Sequence, residues 1–150
     1  MKVPERLETK RLILRPYSEE DINQFLDSYK NADPGFSLVI SNKEYNSYLG
    51  TCGLYPIRDG NSVGLIYALL PKFRGNGFAI EAMLKLIEYV FIMLKIPKII
   101  VYIHPDNTHG CKVAERIGMK YMGHVQHKDF IPKAMLLTLT KDEYVGQHLY

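Results

Sequence analysis

The sequence predicts a single α/β domain over residues 1–150, and three observations carry that expectation. A strand-like run at 63–70 is followed by a glycine-bearing loop, Arg74-Gly75-Asn76-Gly77-Phe78-Ala79, and then by apolar residues at helical spacing over 80–94. A β-branched run at 98–104 comes next, so residues 63–103 read as strand, helix and parallel strand with the right-handed crossover such units take. Segments on either side are separated by turn signals and read as further strands. With 150 residues and 47% apolar content the chain can bury one real core, and no repeat, low-complexity tract or linker divides it.

Each element has its own local reason. Residues 7–15 alternate and carry β-favouring side chains, which predicts an edge strand ending at Pro16. Ser18 is a favoured N-cap followed by Glu19, Glu20 and Asp21, and Ile22, Phe25, Leu26 and Tyr29 form one face of a short helix. Asn31-Ala32-Asp33-Pro34-Gly35 stops that helix. Residues 36–41 and 45–55 read as a hairpin around Asn42-Lys43-Glu44, and a turn at Arg58-Asp59-Gly60-Asn61 leads into the 63–70 strand. In the central helix Ala79, Met83, Leu86, Ile87, Val90, Phe91 and Leu94 share a face for the sheet. Glu81, Lys85 and Glu88 share the other, with i,i+4 and i,i+3 pairing. Pro97 ends it. Residues 107–117 form the next helix, Gly118 is its stop, and strands at 120–127 and 130–139 close the sheet.

The loop carries the chemistry. Glycines let a backbone pass close to a bulky ligand, and the first N–H groups of a helix lack intrahelical acceptors, so a strand–glycine loop–helix junction suits phosphate. A Walker-type loop would need Lys and Ser or Thr after its last glycine, and neither follows Gly77. A dinucleotide G-x-G-x-x-G is half present as Gly75-Asn76-Gly77, but Ile80 stands at the third glycine, and the acidic ribose ligand expected about 20 residues on falls in apolar helix. The pattern Arg74-x-x-Gly77-x-Ala79, preceded by a strand and Pro71, resembles the pyrophosphate loop of the GNAT superfamily of acyl-CoA-dependent N-acyltransferases. Residues Leu7-Glu8-Thr9-Lys10-Arg11-Leu12-Ile13-Leu14-Arg15-Pro16 with Ser18-Glu19-Glu20-Asp21 resemble the opening of its ribosomal-protein N-terminal acetyltransferase branch. His104-Pro105-Asp106-Asn107-Thr108 and Val113-Ala114-Glu115-Arg116-Ile117-Gly118-Met119 resemble that branch's second motif, so the similarity spans nearly the whole chain.

The resemblance implies a mixed, mostly antiparallel central sheet with a splayed strand pair and flanking helices, and acetyl-CoA as co-substrate. It implies that Tyr67, Ala68 and Leu69 pair with the pantetheine arm and polarise the thioester. Arg74, Gly75, Asn76, Gly77, Phe78, Ala79 and Ile80 would hold the pyrophosphate. Arg74 reads either as a charge-assisted phosphate contact or as a solvated loop cation. Asn107 reads as a helix N-cap, as a cofactor contact, or as both. Gly64, Gly110 and Ala114 stand where relatives place a carboxylate, a Ser and a Tyr proton donor, so no standard acid or base carries over. The remaining catalytic candidates are His104, a residue type able to exchange protons near neutral pH though here better suited to a structural hydrogen bond, and Tyr67, one of several tyrosines (with Tyr17, Tyr48 and Tyr55) able to protonate a thiolate. Cys111, near a helix N-terminus, is expected to have a lowered pKa. His104, His109, His124 and His127 cluster in sequence without a metal-ligand spacing, so no metal is expected.

Composition bounds the partners. A net charge of +3 suits the phosphates of CoA, and the basic residues are scattered without a run or an aromatic–basic repeat, so nucleic acid is not implied. Two distant cysteines form neither a disulfide framework nor a C-x-x-C site. The N-terminus lacks an apolar signal core and the greasiest stretch is broken by Lys95, Pro97 and Lys98, so neither export nor a membrane span is expected and the setting reads as cytoplasmic. About twenty residues separate Pro16 from Phe36, where relatives usually fit two helices. An open acceptor side follows, completed by a second copy in a homodimer or suited to a large protein substrate. The function expected is acetyl transfer to an amine, a protein or peptide α-amine or a small amine being preferred. The alternative is a non-catalytic acyl-CoA sensor of the same fold.

Overall fold

The computed structural model describes residues 1–18, 35–127 and 130–148. The strands are β1 (Leu7–Glu8), β2 (Leu12–Arg15), β3 (Phe36–Asn42), β4 (Tyr48–Pro56), β5 (Ser62–Leu69), β6 (Lys98–Ile103), β7 (Lys120–His127) and β8 (Phe130–Thr140). The helices are α1 (Phe78–Glu88), α2 (Thr108–Arg116) and α3 (Lys141–His148). The strands hydrogen-bond in the order β1-β2-β3-β4-β5-β6-β8-β7, and the sheet is mostly antiparallel, with β5 and β6 parallel. This is the mixed α/β class the sequence predicts. The helix expected from Ser18 to Tyr29, and its stop over 31–34, lie outside the described residues. Two compact units are present: Met1–Pro56 with Leu65–Lys95, and Ile57–Gly64 with Ile96–Tyr150.

In the first unit the expected single strand over 7–15 is instead a hairpin, with Leu7 opposite Leu14 and Glu8 opposite Ile13. The polar triplet Thr9-Lys10-Arg11 makes its turn. Thr9 N–H donates to Leu12 O at 2.9 Å, and Thr9 Oγ1 accepts from Leu12 N–H at 2.9 Å. Of these two strands β1 lies at the sheet edge, and Leu12, Ile13 and Leu14 of β2 are buried. The β3–β4 turn runs longer than predicted. Asn42 Oδ1 accepts from Glu44 N–H at 2.8 Å and Tyr45 N–H at 3.1 Å, and Asn46 takes φ 54°, so β4 begins at Tyr48 rather than 45. Gly50 lets β4 and β5 approach, because a Cβ there would sit 2.1 Å from Ala68 O.

Helix α1 buries Ala79, Ala82, Met83, Leu86 and Ile87. The predicted α-helix to residue 94 needs correction. Over Tyr89–Met93 the turn widens to π geometry, with Leu94 N–H reaching Tyr89 O five residues back at 3.0 Å. The extra residue per turn lets the consecutive Tyr89, Val90 and Phe91 all be buried, while Leu94 is only half-buried. Tyr89 is further held by its hydroxyl, donating to Lys2 O at 2.7 Å, and by an edge contact with Phe36. Lys95, at φ 57°, ends the segment two residues before Pro97.

In the second unit β6 pairs in parallel with β5 at Ser62↔Lys98 and Val63↔Ile99, and antiparallel with β8 from Lys98↔Thr140 to Ile103↔Met135. The parallel pairing is the one the strand–helix–strand reading requires. Gly118 stops α2 as expected, at φ 95°. Its N–H reaches Glu115 O at 3.1 Å and Met119 N–H reaches Ala114 O at 3.0 Å, the paired bonds of a glycine C-terminal cap. Helix α3 is absent from the sequence reading. A capping box opens it: Thr140 N–H donates to Glu143 Oε1 at 2.9 Å and Glu143 N–H to Thr140 Oγ1 at 3.2 Å. Among the described residues no helix is long and apolar enough to cross a membrane.

Candidate active site

The glycine loop lies in the first unit. Leu70 N–H donates to Leu49 O at 2.9 Å and fixes the end of β5, after which Pro71–Phe73 makes one 3-10 turn, closed by Arg74 N–H to Pro71 O at 3.2 Å. Gly75 (φ 81°) and Gly77 (φ 79°) both take left-handed backbone, which side-chain-bearing residues adopt at a cost. The space over them is open. A Cβ on Gly75 would meet nothing within 4 Å, and one on Gly77 would meet only Arg11 Nη2, at 3.5 Å. Helix α1 then starts at Phe78 with no side chain capping its N-terminus. Exposed backbone, two left-handed glycines and an uncapped helix start fit a diphosphate, whose charge the first-turn N–H dipoles favour. Asn76 Nδ2 donates to Phe73 O at 3.4 Å and Arg74 O at 3.3 Å, so the side chain braces the loop. Arg74 is exposed beside the loop, and Ile80 is half-buried.

Arg11 belongs to this site and is missing from the sequence-based candidates. Its Nε donates to Glu81 Oε1 at 2.8 Å, its Nη2 to Asn76 O at 3.0 Å, and its guanidinium lies 4.3 Å from the centre of the Phe78 ring. Its backbone N–H and Thr9 Oγ1 both donate to Glu81 Oε2. The expected Glu81–Lys85 pairing is thereby replaced; Lys85 pairs with Glu88 instead, at 3.3 Å. Burial of Glu81 works against its charge, but the bonds from Thr9 and Arg11 outweigh it and hold the carboxyl below the usual range. The available signal was the polar triplet that breaks the 7–15 alternation, together with an acid in the first turn of α1.

Of the other candidates, Tyr67, Ala68 and Leu69 lie on β5 in the same unit, Leu69 buried and the others half-buried. Burial pushes the Tyr67 phenol up, partly offset by the charge of Arg74, so it keeps its proton at neutral pH. In the second unit His104 turns back on its own chain, Nδ1 accepting from Asp106 N–H at 3.1 Å, which leaves the ring proton on Nε2 when neutral. Asn107 is the N-cap of α2, Oδ1 accepting from Gly110 N–H at 2.9 Å. Gly110 has to be small there: a Cβ would fall 2.6 Å from Asn107 Nδ2. The expectation for Cys111 is overturned. Burial and the neighbouring Glu115 push its thiol up, and its Sγ lies 3.6 Å from Met135 Sδ. Tyr17 Oη sits 2.8 Å from Thr51 Oγ1, and His124 Nδ1 2.6 Å from Tyr121 Oη. No group of three or more His, Cys, Asp or Glu suited to a metal occurs among the described residues.

Comparison with known proteins gives the family. A family model described as an acetyltransferase (GNAT) domain matches residues 6–120. The chain belongs to the GNAT acetyltransferase family. It is 29% identical over 149 residues to an uncharacterized N-acetyltransferase, p20, of Bacillus licheniformis, covering 92% of this chain and 83% of that one. Among solved structures it superposes on a GNAT-family acetyltransferase from Bacillus anthracis with a TM-score of 0.79 at 17% identity, over 91% of this chain and 99% of the other. A candidate ribosomal-protein-serine acetyltransferase from Vibrio cholerae gives 0.71 at 15% identity, over 90% and 97%. This GNAT protein is an acetyl-CoA-dependent acetyltransferase. Gly64, Gly110 and Ala114 bring no ionisable side chain to their positions.

Proposed function

We propose that the chain moves an acetyl group from acetyl-CoA to a primary amine by direct attack in a ternary complex, preferring a protein or peptide α-amine or a small amine of depressed pKa to an internal lysine. The observation that carries the donor half is the uncapped start of α1 behind two left-handed glycines with open space above them. Arg74, Gly75, Asn76, Gly77, Phe78, Ala79 and Ile80 hold the diphosphate, chiefly through backbone N–H groups, and Tyr67, Ala68 and Leu69 offer strand backbone to the pantetheine arm. Acetyl-CoA supplies the activated thioester carbonyl. Tyr67, half-buried on β5, carries the phenol assigned here to protonate the departing thiolate.

The acceptor half rests on amine basicity. Only the neutral amine attacks, and at pH 7 a lysine of pKa about 10.4 needs roughly 4.6 kcal/mol to shed its proton, whereas an α-amine near 8 needs about 1.4 kcal/mol. Without a carboxylate at Gly64 to share that cost, the less basic amine reacts faster. The likeness to a candidate ribosomal-protein-serine acetyltransferase supports the same choice. Free cysteines at 52 and 111 agree with a reducing, cytoplasmic setting, and we read residues 1–150 as one catalytic domain.

The test compares initial rates on a peptide with a free N-terminus and on its N-blocked twin containing an internal lysine, with thiol release as the readout. Faster turnover of the free-amine peptide is expected. Equal or faster turnover of the blocked peptide overturns the acceptor preference. Tight acetyl-CoA binding with no turnover of any amine would move the reading to a non-catalytic sensor.

A further inference from the structure

We propose that Arg11 is a positioning residue that fixes the Asn76–Gly77 peptide plane, and so aims the Gly77 N–H at the diphosphate of CoA. The proposal rests on the diphosphate reading of the loop. The Asn76–Gly77 peptide turns about Asn76 ψ and Gly77 φ, and with left-handed Gly77 on one side its plane can turn over unless something holds it. Arg11 Nη2 holds it by donating to Asn76 O at 3.0 Å. In a planar trans peptide the C=O and the next N–H point in opposite directions. Drawing Asn76 O toward the guanidinium therefore turns Gly77 N–H away from it, at a helix start that no side chain caps.

The guanidinium is itself anchored. Glu81 Oε1 takes its Nε, the Phe78 ring supports its face, and Glu81 Oε2 accepts from the Arg11 backbone and from Thr9. A lysine reaches one of these partners, whereas the planar fork of arginine reaches Glu81 and Asn76 together. The same contacts neutralise the one acid in the first turn of α1, which would otherwise repel a diphosphate.

The experiment uses the full chain, calorimetry with CoA, and the amide signal of Gly77 in protein labelled with 15N-glycine. Arg11→Gln and Arg11→Lys are compared with Arg15→Gln, which removes an equal charge from the end of β2, where the guanidinium bonds Asn46 Oδ1. Circular dichroism checks folding, and Arg11→Lys keeps the charge if Arg11→Gln misfolds. Both Arg11 variants are expected to raise the Kd for CoA roughly tenfold or more, the loss of one well-aimed N–H to an anion. They should also lose the CoA-induced shift of the Gly77 amide, while Arg15→Gln stays near wild type. Affinity retained by folded Arg11→Gln, restored by Arg11→Lys, or lost equally in Arg15→Gln overturns the proposal. Failure of the wild-type chain to bind CoA would instead defeat the diphosphate reading before any variant is compared.

Discussion

Gly77 offers the sharpest probe of the loop because its two roles can be separated. At φ 79° and ψ 6° it is the left-handed N-cap of α1, and an added Cβ would meet nothing closer than Arg11 Nη2 at 3.5 Å, an ordinary contact. Substitution in the free protein therefore costs backbone strain and no clash. For Val, which is β-branched, that is about 1–2 kcal/mol or more, a fall in Tm of roughly 2–8 °C for a chain of this size. Asn tolerates left-handed backbone and leaves Tm nearly unchanged. Binding should follow a different order, since both side chains project from the backbone that the diphosphate must approach. Losing one or two charge-assisted N–H bonds corresponds to about 1.5–3 kcal/mol, a Kd for CoA weaker by roughly 10- to 150-fold. Differential scanning fluorimetry and calorimetry on Gly77→Val and Gly77→Asn measure the two quantities independently. Folded Gly77→Val with a Kd within about twofold of wild type would refute the reasoning.

Arg74→Ala should weaken CoA binding by roughly tenfold if its guanidinium meets phosphate, with an unchanged Tm; an unchanged Kd on calorimetry returns Arg74 to a solvated cation. The Glu81 carboxyl is held below its usual range, so its contribution to stability is present above about pH 4.3, the unfolded value, and is lost as pH falls through the lower folded value. The Tm gap between wild type and Glu81→Gln should accordingly narrow on acidification, and a gap constant down to about pH 3 would contradict this. Gly118→Ala faces both φ 95° and a Cβ 2.2 Å from Gln147 Oε1, so about 1–2 kcal/mol should be lost to strain; removing Gln147 as well should recover only the steric part in a double-mutant cycle of urea melts. Thr140→Ala should lower stability by about 1 kcal/mol through the lost cap of α3, and equal urea midpoints would count against that cap.

Where local physics decides an element, the sequence shows it. Apolar periodicity located the core face of α1, and Asn107 and Gly118 the N-cap and the stop of α2, because each of these signals acts within one helical turn. The misses fall where a distant partner decides. Residues 7–15 alternate like one strand, yet in the turn that folds β1 back on β2 both Thr9 Oγ1 and Arg11 N–H bond Glu81, far along the chain. The π turn over Tyr89–Met93 is settled by where Tyr89 finds Phe36 and Lys2 O, neither of which is near in sequence. Helix α3 was legible, since Thr140-Lys141-Asp142-Glu143 is a capping box, but its weak amphipathic pattern hid it.

The site divides along the same line. Glycines at 75 and 77 announce a backbone-lined anion loop because positive φ is a property of the residue itself. What orients that backbone is not local: Arg11 and Glu81 lie 70 residues apart, and nothing in either neighbourhood marks them as partners. A glycine loop is permissive by construction, so its selectivity for an anion has to come from whatever removes the freedom the glycines introduce. Asn76 removes part of it from within, through its bonds to Phe73 O and Arg74 O, and Arg11 removes the rest from outside by holding Asn76 O. On the proposal made above, the glycines give the loop its ligand, and a turn arginine and a helix glutamate that carry no motif of their own give it its aim.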